Sequence, residues 1–419
     1  MKQYPVEALD EYIRLQTVTN DHQIRAVLNF NGHLDLEKLR NAVKASFEMV
    51  PILRCRIVEN GKQSSWVEQE YAIEAAVKVY EIGDQTLNLI DYLARIPNPD
   101  GPQVLVQVIR QTKNDTLILC LNHMAFDGSG FKDYLYLLSD LYSKPDDKLA
   151  LQPKQIMERS LRALFKNIPI NQRIGALFHS SFSGSQESLL NTDPQGLQPR
   201  VCLFDLPAEQ FHCIKSICKL QQITINDFVL ALFAKALDDV DAGKPIAAIS
   251  IQTMFDLRRY VKTHPVSPFG NFSSMESLVI NTHNQSFSQL AAEIHRQMER
   301  IKSHSPGLKN VLLIDALYRI LPRNTFDKLL INTIKSIGVS TSNLGIIEDQ
   351  RCSFAGTELV NAYMLTSIKH QPAIQLSFST FRDRITFSFL GMFADQNWHI
   401  IQEVAAEMQA EIKRQCEQS

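Results

Sequence analysis

Asn122-His123-Met124-Ala125-Phe126-Asp127-Gly128 holds the one histidine whose surroundings suit it to chemistry. An imidazole with one nitrogen held by neighbouring groups is suited to take a proton from an incoming alcohol or amine near neutral pH. Asp127 and Gly128 lie in the loop that opens the following helix. Taken alone, Asp-Gly is an ordinary turn signal, and a histidine beside an apolar strand is commonly a packing residue. The flanking segments favour the chemical role. Thr116-Leu117-Ile118-Leu119-Cys120-Leu121 predicts a buried strand, and Phe131 to Leu141 repeats apolar residues at helical spacing. His123 therefore stands at a strand's carboxyl end, in a loop that opens a helix, where scaffolds present reactive groups.

The other ten histidines (His22, His33, His179, His212, His264, His283, His295, His304, His370, His399) show no His-x-x-x-His spacing or His-Cys cluster, so no metal site is expected. The seven cysteines are odd in number and form no Cys-x-x-Cys pair, which fits reduced packing residues in a cytoplasmic protein. A formal net charge of -2 gives no electrostatic case for nucleic acid. The start, MKQYPVEALDEY, lacks the apolar core of a signal peptide. No uncharged apolar run approaches a transmembrane length. At 419 residues, 45% hydrophobic and 21% charged, the chain fits two globular units better than one.

The elements expected to position His123 form two halves. In the first, 22–31 and 116–122 are strands, 103–109 pairs with the latter, and Asp35 caps a helix running to Phe47. The stretch 144–199, with Lys144-Pro145-Asp146-Asp147 and Ser180-Ser181-Phe182-Ser183-Gly184-Ser185, has the small polar residues of a crossover. The second half begins with the strand 200–206. A helix opened by Asn226-Asp227 follows, apolar on nearly all sides and so buried. Strands at 246–254, 271–280, 373–380 and 384–390, helices at 287–303, 308–320 and 325–336, and a final helix from about 394 complete it. The fold class is α/β (α+β), divided as 1–170, a linker at 171–199, and 200–419.

His123-Met124-Ala125-Phe126-Asp127-Gly128 matches the His-x-x-x-Asp-Gly signature of the CoA-dependent acyltransferase superfamily of chloramphenicol acetyltransferase-like fold. That superfamily includes condensation domains, wax ester synthases, plant alcohol acyltransferases and polyketide-associated acyltransferases. Asn226-Asp227 resembles the Asn-Asp motif of the wax ester synthase branch. Asp256-Leu257-Arg258-Arg259 with Gly270-Asn271-Phe272 is similar to the segment after the first strand of the C-terminal half, and Ser342-Asn343-Leu344-Gly345 resembles a Ser-Asn-x-Gly turn of condensation-like proteins. The chain departs from the pattern in two ways. Asn122 stands where many members have a first histidine, and no Asp-Phe-Gly-Trp-Gly motif occurs.

The resemblance implies two similar subdomains, each a mixed sheet flanked by helices, meeting along a tunnel with His123 at its centre as general base. It implies that Asp127 points away from substrate and pairs with an arginine, Arg258 first and Arg259 second. Gly128 leaves room beside the imidazole, with Asn122 in support. Ser342 and Asn343 are oxyanion candidates; Asn226 and Asp227 are expected to cap their helix. The implied activity moves an acyl group from acyl-CoA, as co-substrate rather than bound cofactor, to an alcohol or amine. The alternatives are a condensation-type enzyme taking a phosphopantetheine thioester from a carrier protein, and a non-catalytic binding member of the fold.

Overall fold

The computed structural model describes residues 2–60, 63–144, 158–178, 189–192, 195–240, 248–283 and 285–418. Two mixed sheets carry the molecule. The first has five strands in the order Glu358–Leu365, Gln23–Asn31, Asn114–Asn122, Val104–Gln111, Val77–Gly83. Its pairings are antiparallel except the last, which is parallel. The central strand Asn114–Asn122 is buried from Asp115 through Leu121, which explains its unbroken apolar run: a middle strand covered on both faces has no solvent side to mark with polar residues.

The second sheet orders Ser273–Ile280, Ile249–Asp256, Val339–Ile346, Ile374–Phe381 and Arg384–Phe393, with Lys369–His370 and Gln198–Leu206 both paired to the last. Val339–Ile346 runs parallel to both its neighbours. Behind this sheet lies the helix Ile225–Asp239, buried on almost every side between Phe287–Ser303 and Asp395–Glu417. A three-stranded sheet, Gln3–Pro5, Gln63–Glu68 and Cys55–Asn60, flanks the first half.

The helix after the His123 loop, Gly128–Ser143, begins where the Asp127 side chain accepts from the Gly130 N–H at 2.8 Å. It buries Phe131, Tyr134, Leu135, Leu138 and Tyr142, a stripe at i, i+3, i+4, i+7 and i+11, against the first sheet's core. Asp35 caps Leu36–Met49 by accepting from the Glu37 and Lys38 N–H groups. The helix containing Asn226 and Asp227 is capped instead by Thr224, with Asp227 at its third position completing the reciprocal bond to the Thr224 N–H. This corrects the expectation that both residues serve as caps.

The division at 171–199 needs correcting in two respects. Ile170–Leu177 is a helix following Pro169, whose fixed φ suits a helix entrance. Lys144 is described, but residues 145–157, 179–188 and 193–194, including the Ser-rich run, lie outside the described residues. More consequentially, two segments from 200–419 belong with the first half. Glu358–Leu365 adds an edge strand to the first sheet in antiparallel register with Gln23–Asn31. Phe326, Leu330 and Ile334 of the helix Arg323–Lys335 join that sheet's core. Periodicity reveals a strand or helix but not which sheet receives it.

Candidate active site

A cavity of about 600 Å³ runs between the two sheets, and His123 lies in its wall. The loop carrying His123 is tied down by groups distant in sequence. The His123 N–H donates to the His22 carbonyl at 2.9 Å. Asn271 Nδ2 donates to the His123 carbonyl at 3.0 Å, to the Met124 carbonyl at 2.8 Å and to Asp10 at 2.9 Å. Arg159 donates to the Ala125 carbonyl at 3.0 Å and forms an ion pair with the buried Asp10 at 2.9 Å. A loop whose carbonyls are held by Asn271 and Arg159, and whose first N–H is held by His22, is constrained in how it presents its imidazole.

Asp127, 2% exposed, receives three donors: the Gly130 N–H, the Phe272 N–H at 2.7 Å and Arg258 Nη1 at 2.8 Å. Arg258 also donates to the Pro268 and Gly270 carbonyls, both at 3.1 Å, so one guanidinium ties together the loops before and after it. Arg259 is exposed and takes no part in this contact. Asn122 donates to Gln103 at 2.7 Å and accepts from the Met124 N–H at 3.0 Å. It shapes the turn and does not line the cavity.

The His123 ring is half-buried, and its Nδ1 is buried without a hydrogen bond to another residue. Burial pushes the imidazole below its ordinary pKa. The ring's own main-chain carbonyl and Asp127 oppose that shift, and the Lys369 ammonium adds to it. The shift favours the neutral ring, the form able to accept a proton.

Gly128 lines the cavity, but a Cβ there meets Leu344 at 3.1 Å; the space it preserves lies against Leu344 rather than beside the imidazole, correcting the sequence expectation. Gly130 is the tighter position: its Cβ would lie 2.8 Å from the Pro268 carbonyl oxygen. The two oxyanion candidates separate. Ser342, 8% exposed, lines the cavity. Asn343 also borders it, but its side chain donates to Asn226 at 3.2 Å and accepts from the Gly345 N–H at 2.9 Å, holding a turn in which Gly345 has φ +80°. Asp227 lies elsewhere, paired with His295 at 2.8 Å.

Arg159 and Asp10 are absent from the sequence expectations. Asp10 has no local signal, being a buried acid on an otherwise amphipathic helix, Ala8–Leu15, and Arg159 stands apart from any motif. The cavity's lining includes the apolar Ile13, Ile314, Leu317, Leu330 and Ile334, from that helix, Leu308–Ile320 and Arg323–Lys335. Among the described residues no group of three His, Cys, Asp or Glu side chains is placed to hold a metal. No single helix there is long and apolar enough to cross a membrane; one bent pair, Ala208–Gln221 with Ile225–Asp239, passes that test by length and composition only.

Two mixed sheets enclose a cavity with a His-x-x-x-Asp-Gly loop in its wall. Residues 269–413 match the family described as WS/DGAT C-terminal domain. Two uncharacterized proteins of Mycobacterium tuberculosis, strains CDC 1551 / Oshkosh and H37Rv, are 26% identical over 149 residues. The match spans 35% of this chain and 35% of each relative, so it covers about a third of their length. Among solved structures, polyketide synthase associated protein 5 from Mycobacterium tuberculosis superposes with a TM-score of 0.66 at 14% identity, over 97% of this chain and 98% of that one. The epimerization domain from the third module of tyrocidine synthetase B gives 0.68 at 14% identity, over 100% and 96%. Trichothecene 15-O-acetyltransferase from Fusarium sporotrichioides gives 0.67 at 12% identity, over 97% and 95%. At these identities the likeness establishes the fold.

Proposed function

We propose that this protein is an acyltransferase that moves an acyl group from a CoA thioester to an alcohol or amine, with His123 as general base. The observation that carries the reading is the half-buried imidazole in the wall of an interior cavity, its loop held by Asn271, Arg159 and the Asp127–Arg258 pair. His123 Nε2 takes the proton of the acceptor O–H or N–H as that atom bonds to the thioester carbonyl carbon. The carbonyl electrons move to oxygen, and Ser342 is the cavity hydroxyl proposed to donate to the resulting oxyanion. On collapse the C–S bond breaks, and His123 returns the proton to the departing sulfur as free thiol. No covalent enzyme intermediate is required. These apolar lining residues of the cavity, Ile13, Ile314, Leu317, Leu330 and Ile334, suit the hydrocarbon part of an acyl group.

The test is thiol release from CoA thioesters of graded chain length, each offered with alcohols and amines, by wild type and His123→Ala. Loss of about a hundredfold or more in kcat in the variant supports the general base. Native-rate release by His123→Ala removes it. A donor presented on a phosphopantetheinylated carrier protein, run in parallel, distinguishes carrier from CoA supply.

A further inference from the structure

Among the described residues two cations line the cavity, Lys132 and Lys369, and their surroundings differ. Lys132 is near three carboxylates, Asp133, Glu348 and Asp256, each favouring its charge. Lys369 is half-buried, and no hydrogen bond or ion pair of its ammonium is found among the described residues. The one carboxylate that favours its charge is Asp21, which is already committed. Asp21 forms an ion pair with Arg25 and accepts from the Ile368 N–H at 2.9 Å and the Gln23 N–H at 3.2 Å. The cavity's own carboxylates are no closer to serving it. Asp127 and Asp256 are both paired with Arg258, and Glu276 accepts from the Gly307 N–H at 2.6 Å.

The main chain at Lys369 is held from two sides. It pairs with Gly391 in the second sheet and forms an isolated bridge to Asn20 in the first half. The Asn20 side chain accepts from the His22 N–H at 2.7 Å, and the His22 carbonyl accepts from the His123 N–H. The bonds of that bridge run from the His370 N–H to the Thr19 carbonyl and from the Asp21 N–H to the Ile368 carbonyl, so Lys369 is held there through its neighbours, and its charge is felt at the imidazole. A fixed cation in a partly desolvated wall without a counter-charge is costly to maintain. Burial accordingly draws its pKa down to about 8. An anionic substrate group seated beside it supplies the missing partner.

We propose that Lys369 is a specificity residue of the cavity and that the preferred substrate carries a carboxylate close to its reacting centre. The inference rests on the acyltransferase reading and deepens it. The diphosphate of CoA is many bonds from its thioester, so the anion read near His123 belongs either to the transferred acyl group or to the acceptor. Polar cavity groups around Lys369, Thr366, Ser367 and Gln375, are suited to complete a carboxylate site.

Two matched pairs distinguish these sources: glutaryl-CoA against pentanoyl-CoA with one neutral alcohol, and 3-hydroxybutyrate against its methyl ester with hexanoyl-CoA. In wild type the charged member of one pair is expected to win by about tenfold or more in kcat/KM, chiefly through KM. In Lys369→Met that ratio collapses toward one, and Lys369→Arg restores part of it. No charged preference in either pair, or a preference that survives Lys369→Met, overturns the assignment. Calorimetric titration of glutarate, 3-hydroxybutyrate and the amide of each into wild type, His123→Ala and Lys369→Met keeps the question separate from turnover. Binding of a carboxylate, but not its amide, to the first two proteins and not the third sustains the lysine site even where no thioester reacts. Equal binding by all three, or by none, rejects it.

Discussion

Arg258 Nη1 lies 2.8 Å from Asp127 Oδ2, joining residues 131 positions apart into the strut that sets the His123 loop. Asp127 is almost fully buried, and its remaining bonds come from main-chain N–H groups on both sides of the cavity. The pair is therefore a geometric constraint between the two halves.

Arg258→Ala is expected to leave Asp127 as a buried, uncompensated carboxylate, at a cost of about 3 kcal/mol in folding stability. It should also lower kcat about a hundredfold through misplacement of the imidazole, with a smaller change in KM. Arg258→Lys should recover little, because one ammonium cannot serve Asp127 and the carbonyls of Pro268 and Gly270 together. Denaturant titration and steady-state kinetics on the same preparations check both effects. Native-like kcat in Arg258→Ala would show the strut to be dispensable.

The acid side of the pH–rate profile follows from the direction of the His123 shift. A base held below the ordinary imidazole pKa stays unprotonated as pH falls past about 6.5. The acid limb of kcat/KM is thus expected to bend below that value. A limb centred at or above it would assign the rate-limiting protonation elsewhere.

His22 gives a separate prediction about stability. Burial lowers its pKa to about 4, whereas in the unfolded chain it titrates near 6.5. Between those values the unfolded state binds the proton and the native state does not, so stability is complete above about 6.5 and falls as pH drops toward 4. The contribution is roughly 3 kcal/mol at most. His22 has φ +43°, a conformation Asn tolerates, so His22→Asn is a suitable probe. Its loss of stability between pH 6.5 and 4 should be shallower than that of wild type, as measured by urea unfolding at several pH values.

Ser342 and Asn343 are neighbours with different expected phenotypes. Ser342→Ala should lower kcat by about a hundredfold while leaving the melting temperature nearly unchanged, the behaviour of an oxyanion donor. Asn343→Ala removes the bonds to Asn226 and the Gly345 N–H, and should cost about 1 kcal/mol of stability with a smaller effect on kcat. The reverse pattern would exchange the two roles.

Much of the site was legible because its local signals are strong. An apolar strand, a histidine loop and a capped amphipathic helix follow one another in sequence, and Arg258 lies in a motif of its own. Asp10, Arg159 and Lys369 were not legible. Each owes its place to contacts far along the chain: Asp10 to Arg159 and Asn271, Lys369 to Asn20 and Gly391. The helices Phe287–Ser303 and Leu308–Ile320 are legible to the residue in their periodicity, since each hides one face and shows the other. The membership of Glu358–Leu365 in the opposite sheet is a property of tertiary pairing that local pattern does not encode.

That strand also bears on how the molecule comes into being. A ribosome delivers Gln23–Asn31 long before Glu358–Leu365, and until the latter emerges the former has a bare flank rich in unpaired main-chain groups. Such a flank invites pairing with another nascent chain. Truncation before residue 358 would leave it permanently open, so prematurely ended translation products of this protein should be clients for chaperones rather than half-enzymes.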